Sequence, residues 1–251
     1  MPRQARQLSP TGIYHIMLRG INRQRIFEDV SDYSYFLECL RRVHNDCGVT
    51  VLAYCCMPNH IHLLLEESDE PISFPMKSLG IRYATWFNRK YDRVGHLFQD
   101  RFLSKPVVDD AYFQTVVMYI HFNPVVAGIC TSPLDYRWSS RRMLEHSSSL
   151  VDLTRLNEIY PLDSLRANER MYEPSQHEDQ PLLGRPCHAD DCAWTLLCHT
   201  AGVSTGSEFQ DLSRHKQQAA IQLLRAHRFP IRQISRLTGL SRYLIEKWDG
   251  Q

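Results

Sequence analysis

Two histidines separated by one residue, His60 and His62, lie in the apolar segment MPNHIHLLL at residues 57–65. In a β-strand, side chains at positions i and i+2 point to the same face of the sheet and lie roughly 6.5 Å apart. Two imidazoles at that spacing can bind one metal ion or one phosphate group. The same pattern also suits two partly buried histidines that hydrogen-bond to neighbouring backbone. The pair alone therefore leaves a metal site and a structural role open.

A second candidate pair, Tyr119 and Asn123, lies in the segment YIHFN. In a helix, residues four positions apart share a face. A tyrosine hydroxyl can act as a nucleophile, and an asparagine carbonyl oxygen is a ligand for hard cations. On spacing alone the structural alternative is favoured, with Tyr119 as a core aromatic residue and Asn123 as a helix-end residue before Pro124.

The elements that must position these residues follow from the hydrophobic pattern. We predict strands at 12–20 and 49–57, a histidine strand after a turn at Pro58 and Asn59, and helices at 31–48, 74–91 and 109–125. Residues 92–108 have a loop-like pattern. This order favours an α+β fold, with helices on one face of an antiparallel sheet.

Local signals predict where these helices begin and end. Ser31 or Asp32 is expected to cap the first helix, and Gly48 is expected to close it. The last helix is expected to stop at Asn123–Pro124, because the residue before a proline disfavours helical backbone angles.

The composition is that of a globular protein without a membrane span. At 251 residues, of which 43% are hydrophobic, the chain can form one large or two small domains. Its longest apolar run is far shorter than the roughly 18 residues of a transmembrane helix, and the basic N-terminus lacks the apolar segment of a signal peptide. We therefore expect a cytoplasmic protein with no membrane partner, whose eight cysteines are reduced thiols.

The small net charge of +1 hides an uneven distribution. Residues 145–192 contain ten acids and four arginines, a balance of −6, which leaves +7 for the flanking parts. We predict an acidic linker at 146–190, with a short helix around Leu153–Ile159, between a domain at 1–145 and a second at 191–251.

The C-terminal part has the pattern of a helix-turn-helix. Ile231, Ile234 and Leu237 are spaced for one short helix, Gly239 supplies a turn, and Ser241 can cap the next helix. Three arginines could contact phosphates there: Arg232, Arg236 and Arg242. A simple helical hairpin would give a similar pattern, so this small all-α module is a hypothesis.

Several segments together closely resemble the REP-associated tyrosine transposases, which are relatives of the single-tyrosine insertion-sequence transposases of the HUH superfamily. They span about residues 10–142 in the family's order: GIYHIMLRGINRQRIF, AYCCMPNHIHLLL, SLGIRYATWFNRKYDRVGHLFQDRF, YIHFNPVVAGI and YRWSS. Residues 146–190 lie outside the resemblance, and only some members carry a terminal helix-turn-helix. The resemblance implies a ferredoxin-like fold with the tyrosine helix beside the histidine strand.

The same resemblance implies roles for the candidate residues. His60 and His62 match the HUH pair, Tyr119 the catalytic tyrosine, and Asn123 a third polar ligand one helical turn later. The implied cofactor is a divalent metal, Mg²⁺ or Mn²⁺. The implied reaction is metal-dependent cleavage and rejoining of single-stranded DNA through a 5′-phosphotyrosine intermediate.

The implied partner is a repetitive extragenic palindrome, a DNA hairpin with a short single-stranded flank. Arginines within the matched segments are candidates for DNA contacts, namely Arg19, Arg23, Arg82 and Arg101, with Arg101 favoured because it lies in a dense motif. The protein is expected to be a monomer or a homodimer.

Two other functions compete with this interpretation. In the first, the protein is a catalytically silent DNA-binding regulator that uses its C-terminal helix-turn-helix. The presence together of His60, His62, Tyr119 and Asn123 argues against it. In the second, the H-x-H pair belongs to a metal-dependent hydrolase that activates water, but the matched segments offer no clear set of further ligands.

Overall fold

The computed structural model describes residues 7–144, 150–172, 189–226, 229 and 231–249. Its first part contains seven main elements: β1 (Ile13–Arg19), α1 (Val30–Cys47), β2 (Thr50–Met57), β3 (His60–Glu66), α2 (Ser73–Lys90), β4 (Leu103–Pro106) and α3 (Asp110–Val126). The strands form one antiparallel sheet in the order β2-β3-β1-β4. This β-α-β-β-α-β connectivity is ferredoxin-like, and the predicted α+β class is confirmed.

Strand β4 lies in the stretch 92–108, where we expected a loop. Its sequence, LSKP, is short and mostly polar and has no alternating pattern. It forms because β1 has an open edge, along which Met17 pairs with Leu103 and Tyr14 with Pro106. Proline is tolerated in such an edge strand because no further strand needs its missing N–H.

The helices flank both faces of the sheet, rather than the single face that we expected. His60 and His62 share a face with Met17 and Arg19, their partners on β1, and helix α3 packs on that face. On the opposite face, Tyr54 lines a cavity with residues of α1, and α1 packs against α2. The sheet is covered twice because the alternating side chains on both faces are buried, although one face carries three histidines as well as apolar residues.

Two predicted helix ends are wrong in detail. Asp29, not Ser31 or Asp32, caps α1, and Asp32 completes a capping box from the third helical position. Gly48 closes the helix at a φ of 68°, as expected. Helix α3 continues through Pro124 to Val126, because the Ala127 and Gly128 N–H groups still bond to carbonyls of its last turn. Asn123 therefore stays on the helix, one turn after Tyr119.

The described part of the segment that we assigned to a linker is folded onto this domain. It forms α5 (Leu153–Ile159) and α6 (Leu162–Met171), after the short α4 (Ser140–Met143). Leu156, Tyr160 and Leu165 are buried in the core of the sheet domain. Arg155 forms an ion pair with Glu66 of β3 at 2.8 Å. Residues 145–149 and 173–188 of the predicted domain end and linker lie outside the described residues.

Within its described residues, the C-terminal part contains five helices around a second core. They are α7 (Ala189–Ala201), α8 (Gly206–Asp211), α9 (Arg214–Ala226), α10 (Ile231–Thr238) and α11 (Arg242–Asp249). Trp194, Phe209, Ile221 and Ile234 are buried there. Gly239 turns between α10 and α11 at a φ of 73°. Two helices thus lie where the pattern predicted them, while their role as a DNA-reading helix-turn-helix stays a prediction, as does the division into domains.

In the described ranges, no helix combines the length and the apolar character that a membrane span requires.

Candidate active site

The two histidines of β3 are buried beside each other on the face that α3 covers. His60 is 9% exposed and His62 is fully buried, and their ring centroids lie 5.0 Å apart. Burial lowers the pKa of His60 to about 4 and holds that of His62 well below its usual range. Both imidazoles are therefore neutral at pH 7, and each has one ring nitrogen with a free lone pair.

Asn59 fixes which nitrogen of His60 carries the proton. The Asn59 Nδ2 group donates to the carbonyl oxygen of Arg23 at 3.2 Å, so its Oδ1 faces His60 Nδ1 at 2.6 Å. His60 Nδ1–H must then donate to Asn59, which leaves Nε2 as an acceptor. That Nε2 atom lies 3.3 Å from Asn123 Oδ1, which is also an acceptor. Two acceptors that converge on one point suit a cation between them.

His62 is held by a third histidine that the sequence analysis missed. His15 Nε2 lies 3.0 Å from His62 Nδ1, and both rings are buried. The other nitrogen, His62 Nε2, is buried and has no hydrogen-bond partner among the described residues. When His62 Nδ1–H donates to His15, Nε2 keeps its lone pair, and the ring that carries it lies 5.0 Å from that of His60. The signal for His15 in the sequence was a single polar residue within the apolar strand IYHIML.

Tyr119 lies over this cluster from helix α3. Its ring contacts those of His62 and His15 edge-on, with centroids 5.2 and 5.7 Å apart. Burial raises the pKa of Tyr119 to about 12, although the nearby Asn123 amide lowers it. The phenol is therefore protonated at pH 7 and needs activation before it can act as a nucleophile.

The donor set fits one divalent cation. His60 Nε2, His62 Nε2 and Asn123 Oδ1 are three neutral acceptor atoms, and none of them faces a hydrogen-bond donor among the described residues. Mixed nitrogen and oxygen ligation suits Mn²⁺, while Mg²⁺ prefers oxygen. Across the described ranges, no group of three or more His, Cys, Asp or Glu residues could hold a metal. Three protein ligands leave positions open for water or a phosphate oxygen.

The candidate arginines of the matched segments lie in three places. Arg19 and Arg23 lie next to the site, since Arg19 pairs with His60 across the strands and both charges lower the pKa of His60. Arg82 is on α2 at the opposite face of the sheet, paired with Asp46 at 3.1 Å. Arg101 is exposed in the loop before β4.

The three C-terminal arginines, Arg232, Arg236 and Arg242, line one groove together with Arg19 and Arg23. The structure therefore brings five of the seven candidate arginines into one region, and it leaves Arg82 and Arg101 outside.

Comparisons with known proteins agree with this architecture. Residues 10–123 match the family model described as transposase IS200 like. A Haemophilus influenzae protein with the provisional name REP-associated tyrosine transposase is 24% identical over 152 residues, which cover 56% of this chain and 85% of that protein. A solved REP-associated tyrosine transposase bound to a REP hairpin is 19% identical, with a TM-score of 0.50, and the match covers 65% of this chain and 90% of that one. At that identity the structural likeness shows the fold alone.

Proposed function

We propose that this protein cleaves and rejoins single-stranded DNA at palindromic hairpins through a phosphotyrosine intermediate, and the match of residues 10–123 to the transposase IS200 like family model supports this. The observation that carries the proposal is the convergence of Tyr119, His60, His62 and Asn123 on one buried face of the sheet. A hairpin substrate is supported by the REP hairpin that the structurally similar transposase binds. The cytoplasm is the expected compartment.

Tyr119 is the nucleophile of the proposed reaction. Its oxygen forms a bond to phosphorus as the bond between phosphorus and the 3′ oxygen breaks. The products are a 5′-phosphotyrosine and a 3′-hydroxyl, and the proton that the phenol loses balances the one that the 3′ oxygen gains. Attack by a second 3′-hydroxyl reverses these steps and joins strands, so rejoining needs no external energy source.

The other residues of the site bind and orient. His60, His62 and Asn123 would hold a divalent metal, which would polarise the scissile phosphate and stabilise charge on the leaving oxygen. Asn59 and His15 keep the two imidazoles in the tautomers that direct a lone pair towards the ion. Their contacts also hold the rings in place, so the ligands are preorganised before DNA binds.

A covalent-capture assay tests this function. Purified protein is incubated with a single-stranded palindromic hairpin and Mn²⁺ or Mg²⁺, and denaturing gels are used to detect a protein–DNA adduct. We expect a metal-dependent adduct that is lost in Tyr119→Phe and in His62→Ala. The matched control is Tyr112→Phe, at the other tyrosine of α3, which should keep the adduct.

Two outcomes would contradict the proposal in different ways. An adduct that persists in Tyr119→Phe means that another residue is the nucleophile. Tight hairpin binding without any adduct favours the catalytically silent regulator.

A further inference from the structure

A basic groove lies between the catalytic domain and the C-terminal helices. Its volume is about 740 Å³, and five of its described lining residues are arginines while none is acidic. The catalytic domain contributes Arg19 and Arg23, and helices α10 and α11 contribute Arg232, Arg236 and Arg242. Clefts of about 300–1,000 Å³ suit a drug-sized ligand. The groove therefore has room for a few nucleotides of one strand, but not for a duplex.

The groove begins next to the candidate active site. Arg19 is the direct cross-strand partner of His60, so the two side chains share a face of the sheet. A single DNA strand that runs from the histidines along this face would reach Arg19 and then Arg23. The groove thus extends the surface on which the scissile phosphate is proposed to lie.

The guanidinium group of Arg19 is suited to bind an anion. Its Nε atom is buried and has no hydrogen-bond partner within the described part of the chain. Burial and the charge of Arg23 lower the pKa of Arg19, and Asp100 opposes them more weakly. Two guanidinium groups held together without a bound carboxylate repel each other, and a phosphate between them would remove that repulsion.

The turn that carries Arg23 is held in a fixed and strained shape. Asn22 and Arg23 have left-handed backbone, with φ of 52° and 60°. A Cβ atom at Gly20 would overlap with the backbone carbonyl of Gln24, so the turn requires glycine there. Asn59 donates to the carbonyl of Arg23. Strain that is maintained by such contacts is typical of ligand-binding positions.

The C-terminal helices form the second wall because they dock on the same turn. Helix α10 packs against residues 21–23. Arg25 lies over the ring of Trp194 at 5.3 Å, and the Gly206 N–H donates to Glu28 Oε1 at 3.3 Å. On the far side of the groove, Arg232 and Arg242 are exposed.

We propose that this groove binds the backbone of the single-stranded DNA that flanks the cleavage site. The C-terminal helices then serve as one wall of the catalytic DNA channel and do not act as a separate reading module. This inference rests on the proposed function, since it names the part of the substrate that the site holds. Arginine–phosphate pairs fix the strand, and the adjacent histidine site receives its next phosphate.

The test compares two variants of the full chain that lose the same charge. The groove variant is Arg232→Gln with Arg242→Gln, and the control is Arg214→Gln with Lys216→Gln, two exposed residues of α9 outside the groove. Binding is measured by fluorescence anisotropy in EDTA, over a range of salt, with two DNA probes. One is a hairpin with single-stranded flanks of about ten nucleotides, and the other is the same hairpin without flanks.

We expect the groove variant to bind the flanked probe at least about tenfold more weakly. The slope of log K against log salt should fall by about 1.4, because each single-strand phosphate contact contributes about 0.7. Binding of the flankless probe should be unchanged, and the control should match the wild type on both probes. An equal loss on both probes, no loss, or the same loss in the control would overturn the inference.

This result is independent of catalysis. If the wild type forms no covalent adduct but the flank-specific loss is found, the proposed function fails and the groove stands. If the adduct forms and the loss is absent, the groove fails and the proposed function stands.

Discussion

Replacing His15 by leucine is expected to weaken divalent-metal binding while leaving the domain folded. His15 is 2% exposed, and its Nε2 lies 3.0 Å from His62 Nδ1, where it can accept a hydrogen bond when that nitrogen carries the proton. Leucine fills a similar volume but removes this acceptor. In the metal-free protein His62 can move its proton to Nε2, whereas metal binding requires a buried Nδ1–H without a partner. Such an unsatisfied donor costs about 1–3 kcal/mol, or about 5- to 150-fold in affinity.

The assay is a calorimetric titration with Mn²⁺ in the absence of DNA. His15→Gln retains an acceptor and should recover part of the affinity. The matched control is His121→Leu, because His121 is also buried and hydrogen-bonded, to Ser140 at 3.0 Å, but is not part of the cluster. The His121→Leu variant should be less stable than the wild type and bind the metal with unchanged affinity. Unchanged affinity in a folded His15→Leu variant, or an equal loss in His121→Leu, would refute the reasoning.

Two further predictions concern stability. Gly20→Ala should destabilise the fold by about 1–3 kcal/mol, because its Cβ overlaps with backbone. Gly80→Ala, whose new Cβ would lie in open space on α2, should stabilise the fold by up to about 1 kcal/mol. Urea unfolding measures both variants, and equal changes in the free energy of unfolding would contradict the steric argument. Burial raises the pKa of Glu28 to about 7, and this effect outweighs the lowering of the same pKa by the positive charge of Arg25. The unfolded state ionises first, so stability should fall between about pH 4.5 and 7, by up to about 3 kcal/mol. Glu28→Gln should flatten that part of the pH profile, and an unchanged profile would refute the assignment.

The parts of the site that follow from local periodicity could be predicted from the sequence. His60 and His62 share a face because strand side chains alternate, and Tyr119 and Asn123 share one because a helix repeats every 3.6 residues. Each pair is defined within five residues of chain.

His15 could not be found in this way. It reaches His62 only because β1 pairs with β3 in a register that places Met17 opposite His62. That register depends on the packing of the whole sheet, and no short segment contains it.

The fold shows the same division between local and non-local information. Gly48 closes α1 through its own backbone preference, and the sequence predicted it. Strand β4 exists because an edge of β1 is available, although its residues favour no strand. Helix α3 continues past Pro124 because carbonyls of its last turn accept hydrogen bonds from the N–H groups of Ala127 and Gly128. The helices at 153–171 pack on the sheet through a few leucines within an acidic segment, where composition favoured a linker.

Asn59 limits how the site can vary through mutation. Both ends of its amide are engaged, the nitrogen with the Arg23 carbonyl and the oxygen with His60. Aspartate would keep the acceptor and lose the donor, while glutamine would offer both but displace them by one methylene group. Either substitution would change the tautomer of His60 or the backbone path of the turn that carries Arg23. The proposed metal site and the proposed DNA groove therefore both depend on Asn59, and a substitution there is expected to alter both.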